Sequence, residues 1–144
     1  MVRLSGKPSV FCVDGLNFIR SYVMAGGGYK TDDECAAALL DWLESVSCTD
    51  RFKNAEFRVV FDGGYRSVGP LVRGRVHAQF SDSDSADDIL LEQAAYLKDH
   101  STLKVWLVTS DGALVSIARE NGIKTIYCPT FHELAQAALD AESR

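Results

Sequence analysis

The sequence has no long apolar run and no clustered cysteines or histidines. No stretch approaches the roughly 20 apolar residues that a membrane helix needs. The apolar run near the amino terminus is too short for a secretory signal peptide. The four cysteines and three histidines are dispersed, without the paired spacing of a zinc site. We therefore expect a cytoplasmic protein with reduced thiols, no membrane partner and no Cys/His metal site.

Acidic residues are missing from one long segment. None occurs between Asp62 and Asp82, although this segment contains Arg66, Arg73 and Arg75. The net charge of the whole chain is −5, which by itself argues against a nucleic-acid partner. A protein that holds divalent cations needs clustered carboxylates, however, so a negative total is compatible with polyanion binding.

The chain does have the length and composition of one globular domain. Its 144 residues are 47% hydrophobic and 24% charged, which is ordinary for a soluble protein. It contains no internal repeat, low-complexity tract or linker. We predict a single domain over residues 1–144.

Short apolar runs alternate with amphipathic segments in the order β-α-β-β-α-β-α-β-α. The predicted strands are 9–13, 56–61, 75–80, 103–108 and 123–127. The predicted helices begin at Thr31, Ser85, Ser110 and Pro129, and the last turns Leu134 and Ala138 inward. This pattern favours a mostly parallel sheet covered on both faces. Right-handed crossovers bring the carboxyl ends of such strands to one edge, where ligands bind.

Aspartates follow four of the predicted strands at the point where each strand ends. Several carboxylates brought together repel one another unless they are protonated or bridged by cations. Hard oxygen ligands of this kind suit Mg²⁺ or Mn²⁺, and two such ions promote phosphodiester cleavage. The sequence therefore predicts a metal site at this edge. The aspartates, in chain order, are Asp14, Asp62, Asp82, Asp84, Asp87, Asp88 and Asp111.

Each aspartate also has a structural alternative. Asp62 precedes a glycine and fits a turn. Asp87 and Asp88 fall in the first turn of a helix, which favours acids, and Asp88 completes a capping box with Ser85. Asp111 could cap its helix. Taken together, the structural alternative requires four independent coincidences at one edge, so we favour the functional reading.

Two polar residues accompany the aspartates. Asn17 lies one helical turn after Asp14, where its amide could orient a water or a phosphate beside the metal. An asparagine near a helix start is also common for structural reasons. Ser110 either adds a hydroxyl to the same site, as a substrate contact, or caps the following helix.

Four segments together resemble the NYN branch of the PIN-like nucleases, and within it the bacterial YacP-like group. No single segment is specific, but the four occur in the right order and span residue 9 to about residue 128. They are Val13-Asp-Gly-Leu-Asn17, Val59-Val-Phe-Asp-Gly63, Ser85-Ala-Asp-Asp88 and Val108-Thr-Ser-Asp111.

The resemblance implies a Rossmann-like three-layer α-β-α sandwich (α/β, PIN-like) with a mostly parallel sheet of about five strands. It also implies an endoribonuclease dependent on Mg²⁺ or Mn²⁺. The expected partner is RNA, single-stranded or messenger, with the ribosome as a candidate partner; oligomeric state stays open. The chain departs from the pattern in being shorter than many YacP-like proteins and in its acid- and serine-rich segment 81–85. The residues carried over are Asp14, Asp62, Asp87, Asp88 and Asp111 as metal ligands and catalytic groups, and Asn17 as an assisting catalytic group.

The acid-free segment is the candidate RNA-binding surface. Arg66, Arg73 and Arg75 could contact phosphates, and Tyr65 could stack on a base. The alternative is an ordinary solvated loop. The segment 29–30, Tyr-Lys, is a weaker candidate of the same kind.

Three rival functions remain open. A haloacid-dehalogenase type of small-molecule phosphohydrolase usually has Asp-x-Asp after the first strand, but Leu16 stands two residues beyond Asp14. A receiver domain would place a lysine after a late strand, whereas Lys124 falls within one. A PIN-like scaffold that binds RNA or protein without cleaving would be expected to lose its acids, and this chain retains them.

Overall fold

The computed structural model describes residues 7–21 and 31–143, so the candidates Tyr29 and Lys30 lie outside the described residues. Within those ranges the strands are β1 (Ser9–Asp14), β2 (Ala55–Phe61), β3 (Val72–Arg73), β4 (Val76–Phe80), β5 (Lys104–Val108) and β6 (Lys124–Ile126). The helices are α1 (Gly15–Arg20), α2 (Asp32–Ser47), α3 (Ala86–His100), α4 (Gly112–Glu120) and α5 (Cys128–Glu142). None of these helices is long and apolar enough to cross a membrane.

The strands form one sheet in the order β3-β4-β2-β1-β5-β6, with every pair parallel except β3 and β4. β1 is central, and its Val13 lies opposite Val59 of β2 and Val108 of β5. The chain builds outward from β1 through β2 to β4 and then returns to the other side of β1 with β5. The strand order therefore reverses between β1 and β5, which is where open α/β sheets bind ligands.

Alternate residues of β1 face two separate cores. Phe11 and Val13 face the layer that contains α1, α2 and α5. Val10 and Cys12 face α3 and α4. Helices therefore cover both faces, and the predicted three-layer α-β-α sandwich is confirmed.

Aromatic packing seats α5 on the sheet. The ring of Phe11 lies 5.3 Å from that of Phe131 in α5 and 5.4 Å from that of Phe57 in β2. All three side chains are buried, and aromatic pairs at such distances add about 0.5–1.5 kcal/mol each beyond the area that they bury. The position of the carboxyl-terminal helix is thus fixed from the centre of the sheet.

The predicted helix signals operate as the sequence indicated. The Thr31 hydroxyl accepts a hydrogen bond from the Glu34 amide, and the Ser85 hydroxyl accepts one from the Asp88 amide, each at 3.1 Å. Gly122, with φ +72°, follows α4 in the left-handed conformation. The Ile123 amide then donates a hydrogen bond of 2.9 Å to the carbonyl of residue 118, in the last turn of α4.

Three details differ from the sequence-based expectation. The sheet has six strands in the described residues, because the predicted loop 63–74 contains the two-residue strand β3, which covers the outer edge of β4. The helix α1 forms directly after β1. The last helix packs through Phe131, Ala135 and Ala138. Leu134, which we predicted to face inward, is only half-buried, because the ring of Phe131 fills the core against Phe11 instead.

Candidate active site

Asp14 lies at the point where β1 becomes α1, and it is the N-cap of that helix. Its carboxylate accepts hydrogen bonds from the Asn17 amide at 3.4 Å and from the Thr109 hydroxyl at 3.1 Å. Only 7% of the residue is exposed. Burial raises the pKa of Asp14 to about 6, against these hydrogen bonds, and the charges of Asp87 and Asp111 raise it further.

Gly15 is required by the close approach of a buried ring. A Cβ at this position would lie 2.4 Å from Cδ1 of Phe61, which is itself fully buried. No other residue fits between β1 and the end of β2 without displacing that ring. The pair Asp14-Gly15 therefore results from packing as well as from the charge of the aspartate.

The side chain of Asn17 joins three separate parts of the chain. Its Oδ1 accepts hydrogen bonds from the Ser110 amide at 2.7 Å and from the Thr109 hydroxyl at 3.3 Å. The Cys128 thiol, at the start of α5, donates to the same oxygen at 3.5 Å. Asn17 thus links α1, the end of β5 and α5 directly beside Asp14.

Asp111 and Asp62 each hold the start of a helix. One carboxylate oxygen of Asp111 accepts from the amides of residues 113 and 114 at 3.0 and 3.2 Å, so it caps α4 as the structural alternative proposed. One oxygen of Asp62 accepts from the Ala86 amide at 3.0 Å and from the Ser81 hydroxyl at 3.4 Å. Asp62 is therefore more than a turn residue, since it ties the end of β2 to the start of α3.

Asp87 connects the predicted aspartates electrostatically. Burial raises its pKa, and the charges of Asp111, Asp62 and Asp88 raise it further. Since the charges of Asp87 and Asp111 also raise the pKa of Asp14, Asp87 links Asp14 to the other three aspartates at one edge of the sheet. We call this group, Asp14, Asp62, Asp87, Asp88 and Asp111, the acidic edge.

The acidic edge is an open cluster of carboxylates. Among the residues that the structure describes, no three Asp, Glu, His or Cys side chains are close enough together to enclose a metal ion. The donor chemistry nevertheless fits a hard divalent cation. Mg²⁺ in particular keeps several waters and is usually bound through one or two carboxylates together with substrate phosphates.

Tyr65 and Arg66 lie on the loop that follows β2, on the same side as the acidic edge. Tyr65 is 76% exposed, and its ring packs edge-on against Phe80 at 5.6 Å. Arg66 is near the start of α2, 3.6 Å from Asp32 and 3.9 Å from Asp33. Both side chains remain partly accessible beside the predicted metal site.

Arg73 and Arg75 are not brought to the acidic edge. Arg73 is almost buried, pairs with Asp41 and donates to the carbonyls of Val68 and Pro70 at 2.8 and 3.0 Å. Arg75 lies at the opposite edge of the sheet, just before β4. Its guanidinium donates to three backbone carbonyls, at residues 47, 52 and 53. Both arginines hold loops together where we predicted phosphate contacts.

Ser110 caps a helix, although not the one that follows it. Its hydroxyl accepts a hydrogen bond from the Cys128 amide at 3.0 Å, at the start of α5. That helix has no side-chain cap of its own at Tyr127. Asp111 rather than Ser110 is the N-cap of α4.

Sequence reasoning overlooked Thr109. This fully buried residue donates its hydroxyl proton toward Asp14 or Asn17, and its oxygen accepts from the Asp111 amide at 3.2 Å. A signal was present, because a buried polar residue directly after an apolar strand needs a partner. Ser81 stands in the same relation to β4, with its hydroxyl between Asp62 and the Gly63 amide.

Comparisons with known proteins agree with this architecture. A crystal structure of Rae1 (YacP) from Bacillus subtilis superposes with a TM-score of 0.76 at 16% sequence identity, covering 94% of this chain and 78% of that one. A point mutant of the same protein gives a TM-score of 0.74 at 16% identity, covering 93% and 77%. At this identity the likeness concerns the fold. A search of the curated proteins gave no match.

The sequence itself matches the YacP-like NYN domain over residues 11–143, which is nearly the whole chain. The match runs from within β1 through β6 and includes every residue of the acidic edge. NYN domains are a nuclease-type family with a PIN-like α/β fold. The chain belongs to the YacP-like NYN domain family.

Proposed function

We propose that this protein is a cytoplasmic endoribonuclease that depends on Mg²⁺ or Mn²⁺. The observation that carries the proposal is the acidic edge, in which aspartates from separate parts of the chain meet at the switch in strand order and the charges of their neighbours help to raise the pKa of Asp14 and of Asp87. Such repulsion is unfavourable in a purely structural cluster and is relieved when cations bind. A nuclease-type family and a PIN-like fold agree with this chemistry.

Asp14, Asp62, Asp87, Asp88 and Asp111 would hold the metal ions. The ions would supply an activated water and would stabilise the leaving oxygen. The protein's own groups orient the site. Thr109 and Asn17 fix the carboxylate of Asp14, and the amides of residues 86 and 113, in the first turns of α3 and α4, fix Asp62 and Asp111. Each carboxylate oxygen of Asp14 accepts one of these bonds and would offer its remaining lone pair to a cation, whereas Asp62 and Asp111 would offer their second oxygens.

RNA would approach the acidic edge from the side of the loop after β2. The exposed ring of Tyr65 offers a face on which a base can stack, and Arg66 offers a guanidinium for a phosphate. Asp32 and Asp33 hold Arg66 near the site until RNA competes for it. Translating mRNA is the candidate target that the family resemblance suggests, with the ribosome as the candidate partner.

The decisive experiment is a cleavage assay with end-labelled single-stranded RNA and DNA in Mn²⁺, Mg²⁺ or chelator. We expect metal-dependent internal cleavage of RNA, and a loss of at least about 100-fold in Asp14→Asn, because even residues that only support metal ligands are worth 10- to 100-fold. Asp99→Asn is the matched control, since Asp99 is an exposed acid near the carboxyl end of α3, away from the acidic edge.

The assay also separates the rival functions. RNA binding without cleavage in any metal would make the protein a non-catalytic PIN-like module. If the protein leaves RNA uncut but hydrolyses a small phosphomonoester added under the same conditions, it is a phosphohydrolase. Undiminished cleavage by a pure Asp14→Asn protein would remove Asp14 from the site.

A further inference from the structure

An exposed tyrosine and an arginine lie together on the β6 side of the acidic edge. Tyr127 directly follows β6 and is 46% exposed. The guanidinium of Arg119, in the last turn of α4, lies 6.0 Å from the centre of the tyrosine ring in a cation–π contact. The Nε group of the same arginine donates to the Thr125 hydroxyl at 3.3 Å. We call Tyr127 and Arg119 the outer pair.

The register of the sheet fixes how far the outer pair lies from the catalytic carboxylates. Val108 of β5 lies opposite both Val13 of β1 and Ile126 of β6. The residues that directly follow these three therefore form one row across the carboxyl ends of the strands: Asp14, Thr109 and Tyr127. Neighbouring strands are about 4.8 Å apart, so the backbones at the two ends of this row are separated by about 10 Å.

The side chains of this row share one face of the sheet. The valines and the isoleucine that precede the row all belong to the core beneath α1, α2 and α5. Side chains alternate along a strand, so the row itself points to the other face, which α3 and α4 cover. Two contacts agree with this direction, because the Thr109 hydroxyl donates to Asp14 and Arg119 of α4 reaches the Tyr127 ring.

The guanidinium of the outer pair has donors to spare. In the parts of the chain that the structure describes, Arg119 forms no ion pair, and its bond to Thr125 leaves both terminal nitrogens without a partner there. Four other arginines each pair with a carboxylate: Arg20, Arg58, Arg66 and Arg73. Arg119 is therefore available to an external anion.

Structural roles account for the outer pair only in part. A cation in the last turn of α4 stabilises the helix dipole, but this role does not require an aromatic ring beside it. The start of α5 makes no use of the Tyr127 side chain, because the Ser110 hydroxyl accepts the hydrogen bond of the Cys128 amide. The exposed ring thus has no described role in the fold beyond its contact with the arginine.

We propose that the outer pair binds the RNA strand that crosses the acidic edge, with one base stacked on Tyr127 and a neighbouring phosphate on Arg119. The inference rests on the proposed function. An aromatic ring stacks on any base, and a guanidinium binds a phosphate through two parallel hydrogen bonds. Tyr65 and Arg66 offer the same combination on the β2 side, so the RNA strand would run across the sheet from one pair to the other.

The strand order gives the length of RNA that this path requires. β2 and β6 are three strand spacings apart, which is about 14 Å. A nucleic-acid strand advances about 3.4 Å per nucleotide, so an RNA of at least about five nucleotides spans both pairs. A probe of about ten nucleotides is therefore long enough to engage the outer pair and the acidic edge together.

The test measures binding of such a labelled single-stranded RNA, and of an abasic strand of equal length, in chelator across a salt series. Tyr127→Leu should weaken RNA binding about 5- to 100-fold, the value of one stacked base, and should leave binding of the abasic strand unchanged. Tyr127→Phe keeps the ring and should bind RNA like wild type. Arg119→Gln should weaken binding of both strands about fivefold and flatten the salt slope by about 0.7.

The matched controls are Tyr96→Leu and Arg51→Gln. Tyr96 is a 64% exposed tyrosine in the second half of α3, and its ring contacts His100 at 4.6 Å. Arg51 is exposed and precedes β2, at the opposite edge of the sheet. Both controls should bind RNA like wild type, and thermal unfolding verifies that every variant is folded. Tyr127→Gln removes the ring in a second way if the leucine variant does not fold.

Three results would overturn the proposal. They are unchanged RNA binding in both variants of the outer pair, equal losses in these variants and their controls, and an equal loss of RNA and abasic strand in Tyr127→Leu. The absence of RNA binding by wild type at low salt would overturn it as well. A wild type that binds RNA through the outer pair but cleaves it in no metal would reject the nuclease proposal and leave the outer pair standing.

Discussion

The two edges of the sheet hold charge in opposite ways. At the acidic edge, Asp14 is only 7% exposed, and hydrogen bonds hold its carboxylate in place beside the charges of its neighbours. At the opposite edge, the guanidinium of Arg75 donates to three backbone carbonyls. The charge of Asp14 therefore opposes folding, whereas the charge of Arg75 holds loops together. Proteins retain an unfavourable charge where a function requires it, which directs attention to the acidic edge for chemistry.

Replacing a glycine at each edge perturbs the backbone without changing any charge. We expect the larger loss of stability at the acidic edge. Gly15→Ala should lower the free energy of unfolding by about 3 kcal/mol, because its Cβ would meet the Phe61 ring. It should also displace Asp14. Gly122→Ala should cost about 1 kcal/mol, since its backbone is left-handed. Urea unfolding measures both effects.

Cleavage at a temperature where both glycine variants are folded completes that comparison. Gly15→Ala should lose cleavage, whereas Gly122→Ala should retain it. Similar cleavage by the two variants would show that the close approach of Phe61 does not control the position of Asp14.

Removing one charge from each edge should change stability only at the acidic edge. The pKa of Asp14 is raised from 3.8 to about 6 in the folded protein, so ionising this group opposes folding. The cost is absent below about pH 4, grows as pH rises and is complete above about 6. Asp14→Asn should therefore stabilise the protein by about 2 kcal/mol at neutral pH in chelator, part of the ~3 kcal/mol that the shift represents.

Thermal unfolding between pH 4 and pH 8 measures this difference, with Lys104→Gln as the counterpart at the other edge. The gain of Asp14→Asn should vanish toward pH 4, and Lys104→Gln should follow wild type throughout. A gain that stays constant with pH would mean that Asp14 is not the group under electrostatic stress.

Thr109→Val tests the frame of the acidic edge without changing its charge. The substitution removes the hydroxyl shared by Asp14, Asn17 and the Asp111 amide, at a cost of about 1.5 kcal/mol. Cleavage should fall about 10- to 100-fold, the range for residues that orient metal ligands. Thr109→Ser keeps the hydroxyl and should restore most of the activity. Equal activities in the valine and serine variants would assign Thr109 to packing alone.

The smallest expected effect compares one arginine at each edge. Arg66→Gln should weaken RNA binding about fivefold and flatten the salt slope by about 0.7, the value for one phosphate contact on a single strand. Arg75→Gln should leave binding intact and lower the free energy of unfolding, since its guanidinium serves three backbone carbonyls. Binding losses of equal size would return Arg75 to the RNA-binding surface.

Periodicity and strand-end chemistry predicted most of the fold. A buried strand and a capping box are local patterns, so β1, Thr31, Ser85 and Gly122 behave as the sequence indicated. The gathering of the aspartates at one edge also followed from topology, because parallel strands end together.

The remaining features depend on which distant residues meet. Arg66, Arg73 and Arg75 form one sequence cluster, yet β3 and β4 carry Arg75 to the other edge, and Arg73 turns toward Asp41. The clash that requires Gly15 involves a ring 46 positions away.

The hydrogen bonds of the acidic edge also fix when it can assemble. Thr109 and Asp14 are 95 positions apart, and Asn17 and Cys128 are 111 positions apart. Ribosomes add about 5–20 residues per second, so Thr109, the hydrogen-bond donor to Asp14, is synthesised roughly 5–20 s after β1. Until β5 and the start of α5 emerge, the first strand has its aspartate but neither the threonine nor the cysteine that complete the frame. The hydrogen-bond frame around Asp14 is therefore completed only by β5 and α5, which are synthesised late.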